Sequence, residues 1–359
     1  MTETGSTLKK SIYDLSLDEL TAALQSWGQP GYRARQVWQW LYQHKVTGFA
    51  AMSNLPKDLR TRLEAEFRIG GLELVTEIQS VDGHTVKRLW NLPDGQMIEG
   101  VLMEYDGVRR TACISTQAGC AMGCVFCATG QMGFARHLTA GEIVEQALQF
   151  GRQLEAGGER LSNVVLMGMG EPLHNYDATL EAITRLNDEN GLNIGQRHIT
   201  LSTVGLAPAI RRFADEKLQV GLAISLHAAT DEDRNRLLPV NKRWPLADLL
   251  DAIRYYVEQT GRRVTFEWAL IADENDTVQQ AVKLGQLLQG VKCHVNLIPL
   301  NPTGGYGGRP SDPARVETFQ AVLNSYHIGS TVRVRRGIDI QAGCGQLKAE
   351  ITGSKSRPS

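Results

Sequence analysis

Thr111-Ala112-Cys113-Ile114-Ser115-Thr116 reads as a short apolar strand, and a few residues on the chain reaches Cys120-Ala121-Met122-Gly123-Cys124-Val125-Phe126-Cys127. A strand that empties into a loop of three closely spaced cysteines places those thiols at its carboxyl end. Working outward, apolar runs alternate with amphipathic segments. They are helix Gly141–Leu154, strand Asn163–Gly168, helix Asp177–Leu186, strand His198–Ser202, helix Leu206–Phe213 and strand Val220–Leu226. Helix Leu246–Glu258, strand Val264–Ile271, helix Val278–Leu288, strand His294–Pro299, helix Pro313–Ser325 and strand Thr331–Arg335 continue the pattern. Units of this length require parallel strands joined by right-handed crossovers, so residues 110–350 are expected to form a closed or partial barrel or a doubly wound sheet. In each case the working residues belong at the carboxyl ends of the strands.

Upstream the pattern differs. Ser16-Leu17-Asp18-Glu19 is a capping box that opens a helix. A second helix is expected to carry Val37, Trp40, Leu41 and His44 on one face, and Pro56 suits the first turn of a third running towards Phe67. Residues 1–70 thus read as a small helical domain. Arg33, Arg35 and Lys45 lie close to its tryptophan stripe, which serves either as core or as a surface for nucleic acid, with core the weightier reading. Residues 71–109 hold strands Leu72–Ile78, Thr85–Trp90 and Met97–Tyr105, the last two joined by the turn Pro93-Asp94-Gly95, and read as a connecting β-hairpin layer. The end of the chain, residues 351–359, reads as a flexible tail.

With 359 residues, 42% of them hydrophobic and only 21% charged, the chain can bury a sizeable core. It holds no apolar run of membrane-spanning length, and its start lacks a secretory stretch, so a cytoplasmic protein is expected. In that reducing compartment three cysteines so close together point to metal or redox chemistry rather than to disulfides. A net charge of −1 argues against an overall basic field. Arg109–Arg110, Arg211–Arg212, Lys242–Arg243, Arg262–Arg263 and the run Arg333, Arg335, Arg336 read pair by pair as surface charge unless folding brings them together.

Three thiolates at Cys120, Cys124 and Cys127 bind three irons of a [4Fe–4S] cluster and leave the fourth iron open. A structural zinc site would close with a fourth ligand, Cys113 or His137 being available. The spacing, and Phe126 before the last cysteine, favour the open cluster. On these residues the chain resembles the radical S-adenosylmethionine superfamily, whose fold is an α/β partial (β/α)6 barrel. The resemblance implies that the amino and carboxylate groups of S-adenosylmethionine chelate the open iron and that an electron from the cluster cleaves the cofactor to a 5′-deoxyadenosyl radical. Gly168-Met169-Gly170-Glu171-Pro172 follows a strand, and there Gly170 and Glu171 resemble the family's cofactor contacts. Ser202, Ser225, Leu226, His227 and Asn301 resemble the remaining ones.

Cys113 and Cys344, the latter within Ala342-Gly343-Cys344-Gly345-Gln346-Leu347, narrow the resemblance. With Glu99, the segment Val295–Pro302 and the aromatic second helix, they make the chain similar to the RNA adenine C2 methyltransferases of the RlmN type, from near its start to about residue 350. This implies that Cys344 takes a methyl group from one S-adenosylmethionine and that a second is cleaved, two per turnover. It also implies that Glu99 removes the C2 proton and that Cys113 releases the product through a transient disulfide. Glu99 stands one residue farther from Cys113 than the resemblance expects, which keeps Glu104 as an alternative. Cys293 is expected only to pack. Substrates implied are an adenine of large-subunit (23S) ribosomal RNA and the adenosine 3′ of the anticodon in some transfer RNAs. A flavodoxin- or ferredoxin-type electron donor, no membrane and a monomer are also expected. Two rival readings stay open: a C8 adenine ribosomal RNA methyltransferase of the antibiotic-resistance type, and a zinc-binding, RNA-binding scaffold without catalysis.

Overall fold

The computed structural model describes residues 9–105, 107–333 and 336–349. Strand β1 (Lys10–Ser11) leads into helix α1 (Leu17–Ser26), opened by the capping box: Ser16 Oγ accepts from Glu19 N, and Glu19 accepts from Ser16 N. Such a cap stabilises by about 1 kcal/mol. Helices α2 (Tyr32–Tyr42) and α3 (Lys57–Glu66) follow, and β2 (Phe67–Arg68) then pairs in parallel with β1, tying the two ends of the helical unit together. The expected face of α2 needs correcting. Its buried residues are Ala34, Val37, Trp38, Leu41 and Tyr42. The helix stops at Tyr42, so His44 lies beyond it and stacks on Trp40, whose Nε1 donates to Asn54 at the rim. Trp38 instead docks the unit on the rest of the molecule, donating from Nε1 to Asp188 at 2.6 Å.

The chain continues through β3 (Glu73–Gln79), β4 (Thr85–Asn91), β5 (Met97–Tyr105), β6 (Arg109–Cys113) and β7 (Gln117–Gly119). Next come α4 (Ala128–Gln131), β8 (Phe134–His137), α5 (Ala140–Ala156), β9 (Asn163–Leu166), α6 (Tyr176–Asn187), β10 (Ile199–Thr203) and α7 (Ala207–Asp215). The remainder is β11 (Gly221–Ser225), α8 (Asp231–Leu237), α9 (Leu246–Thr260), β12 (Val264–Leu270), α10 (Val278–Leu287), β13 (Cys293–Pro299), α11 (Pro313–Ser325) and β14 (Ser330–Val332). One ten-stranded sheet runs β14-β13-β12-β11-β10-β9-β6-β5-β4-β3. From β6 through β9 to β14 every pairing is parallel, which makes the partial barrel, whereas β3 to β6 pair antiparallel. The hairpin layer therefore extends the barrel sheet edge to edge, and β6 belongs to both.

Parallel strands covered on both faces read as continuous apolar runs. Val264, Phe266, Trp268 and Leu270 of β12 accordingly have no exposed surface, as do Leu201 and Ile224 beside them. Burial of each side chain of that size stabilises by roughly 2–3 kcal/mol. The strand expected over Thr111–Thr116 instead starts at Arg109 and stops at Cys113. Beyond it, Gln146 holds both Ser115 N and Ser115 O while Ser115 Oγ donates to Glu99 O, so side chains replace the ladder. The last strand ends at Val332. Arg335 and the expected tail lie outside the described residues. Among the described residues, no helix is long and apolar enough to cross a membrane.

Candidate active site

The cysteine loop is shaped by close backbone approaches. Gly119 has φ +74°, and a Cβ there would run into the Gly133 carbonyl, which accepts from Cys120 N at 2.7 Å. Gly123 turns the loop at φ +66°, Val125 N donates to Leu237 O, and α4 begins immediately after Cys127. All three thiols line one cavity at the carboxyl ends of the strands. Burial pushes the Cys120 thiol up to about 12, and it lifts Cys124 well above its ordinary value, with the neighbouring thiolates Cys127 and Cys120 adding to the effect. Thiols so placed ionise when a metal takes the charge.

The donor set bears on which metal they suit. A structural zinc site closes with four protein ligands. His137, one possible fourth ligand, hydrogen-bonds Gln117 and is not on the cavity wall. Three thiols on the wall of one cavity suit three iron corners of a [4Fe–4S] cube, with the fourth iron left open.

Gly170 and Glu171 lie on the same wall. Gly170, at φ +101°, packs so closely on Gln117 that a Cβ would sit 2.8 Å from its backbone nitrogen. The Glu171 carboxylate accepts from Val204 N at 2.8 Å and from Leu173 N at 3.0 Å, and burial raises its pKa to about 7. Ser202, Ser225, His227 and Asn301 complete this wall. His227, at φ +58°, accepts from Ala269 N through Nδ1 at 2.9 Å, so Nε2 carries the proton. Burial drops its pKa to about 3, keeping the ring neutral, and Phe126 meets it edge-on. Leu226 departs from the expectation: its side chain is fully buried in the core rather than on the cavity wall.

Two acceptors lack a hydrogen bond. Asn301 Oδ1 and Glu267 Oε2 are buried without one, the latter facing the Arg333 guanidinium at 3.8 Å, and both residues line the cavity. Unsatisfied oxygens at the edge of a cavity suit a ligand rich in N–H and O–H donors, as the amino and ribose groups of S-adenosylmethionine are. Glu267 escaped the sequence reading, although a carboxylate within the apolar strand Val264–Leu270 was its signal.

Cys113 and Cys344 line the same cavity. Burial raises Cys113 to about 12, and the nearby charge of Cys344 adds to this. The atoms packed around the Cys344 thiol raise it too, although the residue keeps exposed surface, and Arg333 on the cavity wall offsets part of the effect. The Arg333 guanidinium lies 3.8 Å from Glu267. Cys344 belongs to a segment, residues 336–349, without strand or helix, held instead by individual hydrogen bonds. Ala128 N donates to Gly345 O at 2.8 Å, Thr129 Oγ1 to Leu347 O at 2.6 Å, Asn301 Nδ2 to Cys344 O at 3.1 Å and Gln346 Nε2 to Pro302 O at 2.9 Å.

Glu99 fastens the same segment. Its Oε2 accepts from Lys348 N at 3.0 Å and its Oε1 lies 3.2 Å from Lys87 Nζ, both side chains being almost inaccessible. Glu99 does not line the cavity. Val101 pairs with Cys113, so Glu99, two residues along β5, faces the same side as that thiol. Glu104 faces the other side and pairs with Arg110. β5 and β6 pair without a shift from Tyr105↔Arg109 to Val101↔Cys113. Cys293 opens β13, away from the cavity, as a packing residue would. Arg110, Arg211 and Arg212 are neutralised locally by Glu159, Asp251 and Asp177, but Arg109 and Arg336 both lie over the Tyr105 ring beside the cavity.

Comparison with known proteins agrees with this geometry. Residues 114–285 match the radical SAM superfamily, and residues 10–69 match the ribosomal RNA large subunit methyltransferase N-terminal domain. The chain is 56% identical over 341 residues to dual-specificity RNA methyltransferase RlmN 1 of Myxococcus xanthus, covering 95% of both. It is 47% identical over 349 residues to a probable dual-specificity RNA methyltransferase RlmN of Geobacillus kaustophilus, covering 97% of this chain and 94% of that one. The crystal structure of a radical SAM methyltransferase from Sphaerobacter thermophilus superimposes with a TM-score of 0.92 at 48% identity, covering 95% of this chain and 100% of that one.

Proposed function

Because the chain belongs to the RlmN family of radical S-adenosylmethionine RNA methyltransferases, we propose that it methylates C2 of an adenine in 23S ribosomal RNA and of the adenosine 3′ of the anticodon in some transfer RNAs. One observation carries this reading: Cys113 and Cys344, far apart in the chain, lie on the wall that also holds Cys120, Cys124 and Cys127. Two spare thiols beside a cluster site are what a methyl-cysteine route needs and what plain cluster binding does not.

Cys120, Cys124 and Cys127 would hold the [4Fe–4S] cluster, while Gly170, Glu171, Ser202, Ser225, His227 and Asn301, with the backbone of Leu226, would hold S-adenosylmethionine. When bound, these groups supply a methyl group from one S-adenosylmethionine and, from a second, the 5′-deoxyadenosyl radical that activates that methyl. Cys344 attacks as a thiolate, which the positive charge of Arg333 favours, and carries the methyl group next to the adenine. Adenine C2 is electron-poor and cannot itself attack a sulfonium methyl. The methyl carbon, having given up one hydrogen, would bond to C2 and join protein to RNA; the adduct would return one electron to the cluster, and Glu99 would take the C2 proton once residues 341–348 lift from Glu99 and Lys87. Cys113 then attacks the Cys344 sulfur, so that an S–S bond replaces the S–C bond and the released carbon takes a proton to become the methyl group of the product. His227 stays neutral throughout and orients rather than transfers protons.

Residues 1–70 act in this reading as an RNA-binding unit, 71–109 as a connector that also supplies Glu99, and 110–350 as the catalytic barrel. A flavodoxin- or ferredoxin-type donor delivers the electron to a monomeric cytoplasmic enzyme. The test is anaerobic reconstitution followed by methylation of both RNAs, with the modified carbon mapped by mass spectrometry and NMR of the nucleoside. 2-Methyladenosine is expected from both, and 8-methyladenosine would overturn the assignment.

A further inference from the structure

Helix α8 carries a buried cation that no carboxylate touches directly. Arg234 has no exposed surface, and among the described residues it makes no ion pair. Every hydrogen bond it makes ends on a neutral oxygen: Nε donates to Leu226 O at 3.2 Å, Nη1 to Asn241 Oδ1 at 2.7 Å, and Nη2 to Val204 O at 2.5 Å and Ser225 O at 3.3 Å. The nearest carboxylate in this network, Asp231, touches Arg234 only through Asn241, whose Nδ2 donates to it at 2.9 Å; it also accepts from Leu246 N, and its charge supports the guanidinium less than a Cys124 thiolate does. Burial draws the Arg234 pKa down to about 10, so the guanidinium remains charged at neutral pH. Buried charges are ordinarily paired, and removing one partner of such a pair is costly, so a missing counter-charge here calls for an explanation.

The surroundings supply one. Helix α8 packs directly on the cysteine loop: Leu237 O accepts from Val125 N at 3.1 Å, and Leu237 and Leu238 share an apolar cluster with Cys124. The charge of a Cys124 thiolate acts on Arg234 across this contact. Three thiolates contribute three negative charges, more than an oxidised [4Fe–4S] core carries as positive charge, so the filled site is anionic and becomes more so on reduction. The carbonyls that Arg234 grips belong to the ends of β10 and β11, next to Ser202 and at Ser225 and Leu226. Val204 N in turn braces Glu171.

We propose that Arg234 is a positioning residue with two linked duties: it is the buried counter-charge of the iron–sulfur cluster, and it clamps the two strand ends that contact S-adenosylmethionine. The proposal rests on the cluster sitting at Cys120, Cys124 and Cys127. A fixed cation beside the cluster favours its reduced form and so raises the reduction potential. The planar fork of arginine reaches three carbonyls at once, which the single ammonium of lysine cannot do.

These duties separate in the reconstituted enzyme, using the cluster potential from an EPR-monitored redox titration and the dissociation constant of S-adenosylmethionine. Arg234→Gln is expected to lower the potential and to weaken S-adenosylmethionine binding about tenfold. Arg234→Lys should restore the potential but not the binding. Arg234→Lys also keeps the question decidable if Arg234→Gln does not fold, because it retains the charge and gives up only the span of the fork. An unchanged potential in Arg234→Gln, or a potential lowered in Arg234→Lys although the charge is kept, overturns the counter-charge role, and wild-type binding by Arg234→Lys overturns the clamp. A wild-type chain that takes up no iron would instead sink the cluster assignment itself.

Discussion

The loop from Cys120 to Cys127 and the segment from Gly337 to Ala349 meet across one cavity, yet each is held in a different manner. The first is a seat. Left-handed glycines, the β7–β8 ribbon and the start of α4 fix it, and its three thiols can scarcely move without breaking backbone hydrogen bonds. The second is a tether. It has no strand or helix, and it is fastened at separate points by Ala128, Thr129, Asn301, Glu99 and Lys87. A cofactor site gains from rigidity, whereas a thiol that must first be methylated, then reach a base and finally meet Cys113 gains from fastenings that can be undone singly.

Substitutions can break this contrast. The largest effect is expected from Cys124→Ala, which removes one of three ligands from the seat: iron and sulfide content should collapse, and methylation with it. Retention of a full cluster would show that the seat has been misplaced. Cys344→Ala should abolish RNA methylation while leaving iron content at the wild-type level, because the tether contributes no ligand. Loss of the cluster in that variant would erase the distinction between the two regions.

Lys87→Met sharpens the comparison. It leaves Glu99 buried without its partner, which is expected to cost about 3–5 kcal/mol in chemical denaturation. Amide exchange should speed up across residues 337–349 but not across 117–137, and equal acceleration in both would mean that they move as one body. The smallest effect belongs to Thr129→Val, which deletes one hydrogen bond to Leu347 O and should cost about 1 kcal/mol, seen as a slightly lower denaturation midpoint.

The barrel could be read from the sequence because its strands are covered on both faces, and long apolar runs such as Val264–Ile271 survive, one residue shorter, as β12. The cysteine seat was legible for another reason, since ligand spacing is local. What escaped was short or polar. Helix α8, Asp-Glu-Asp-Arg-Asn-Arg-Leu, shows no apolar period, so Arg234 stayed hidden although it grips both strand ends. On α2 the expected face holds at Val37 and Leu41 but not at His44, because the helix end at Tyr42 carries no breaker residue that would mark it. Lys87 was out of reach for a further reason: the partner that gives it meaning, Glu99, lies on the adjacent strand, and pairing register is not written in either strand alone.

That register has a consequence for how such chains can diverge. Glu99, Lys87 and Cys113 are carried by one continuous lattice of strands, in which side chains alternate between faces. An insertion in the turn after Tyr105 leaves this arrangement untouched, whereas a single codon gained inside β5 would rotate Glu99 to the far side and bring a neighbour in. Among homologous genes, hairpin length should therefore drift freely while the count of residues from Met97 to Tyr105 stays frozen.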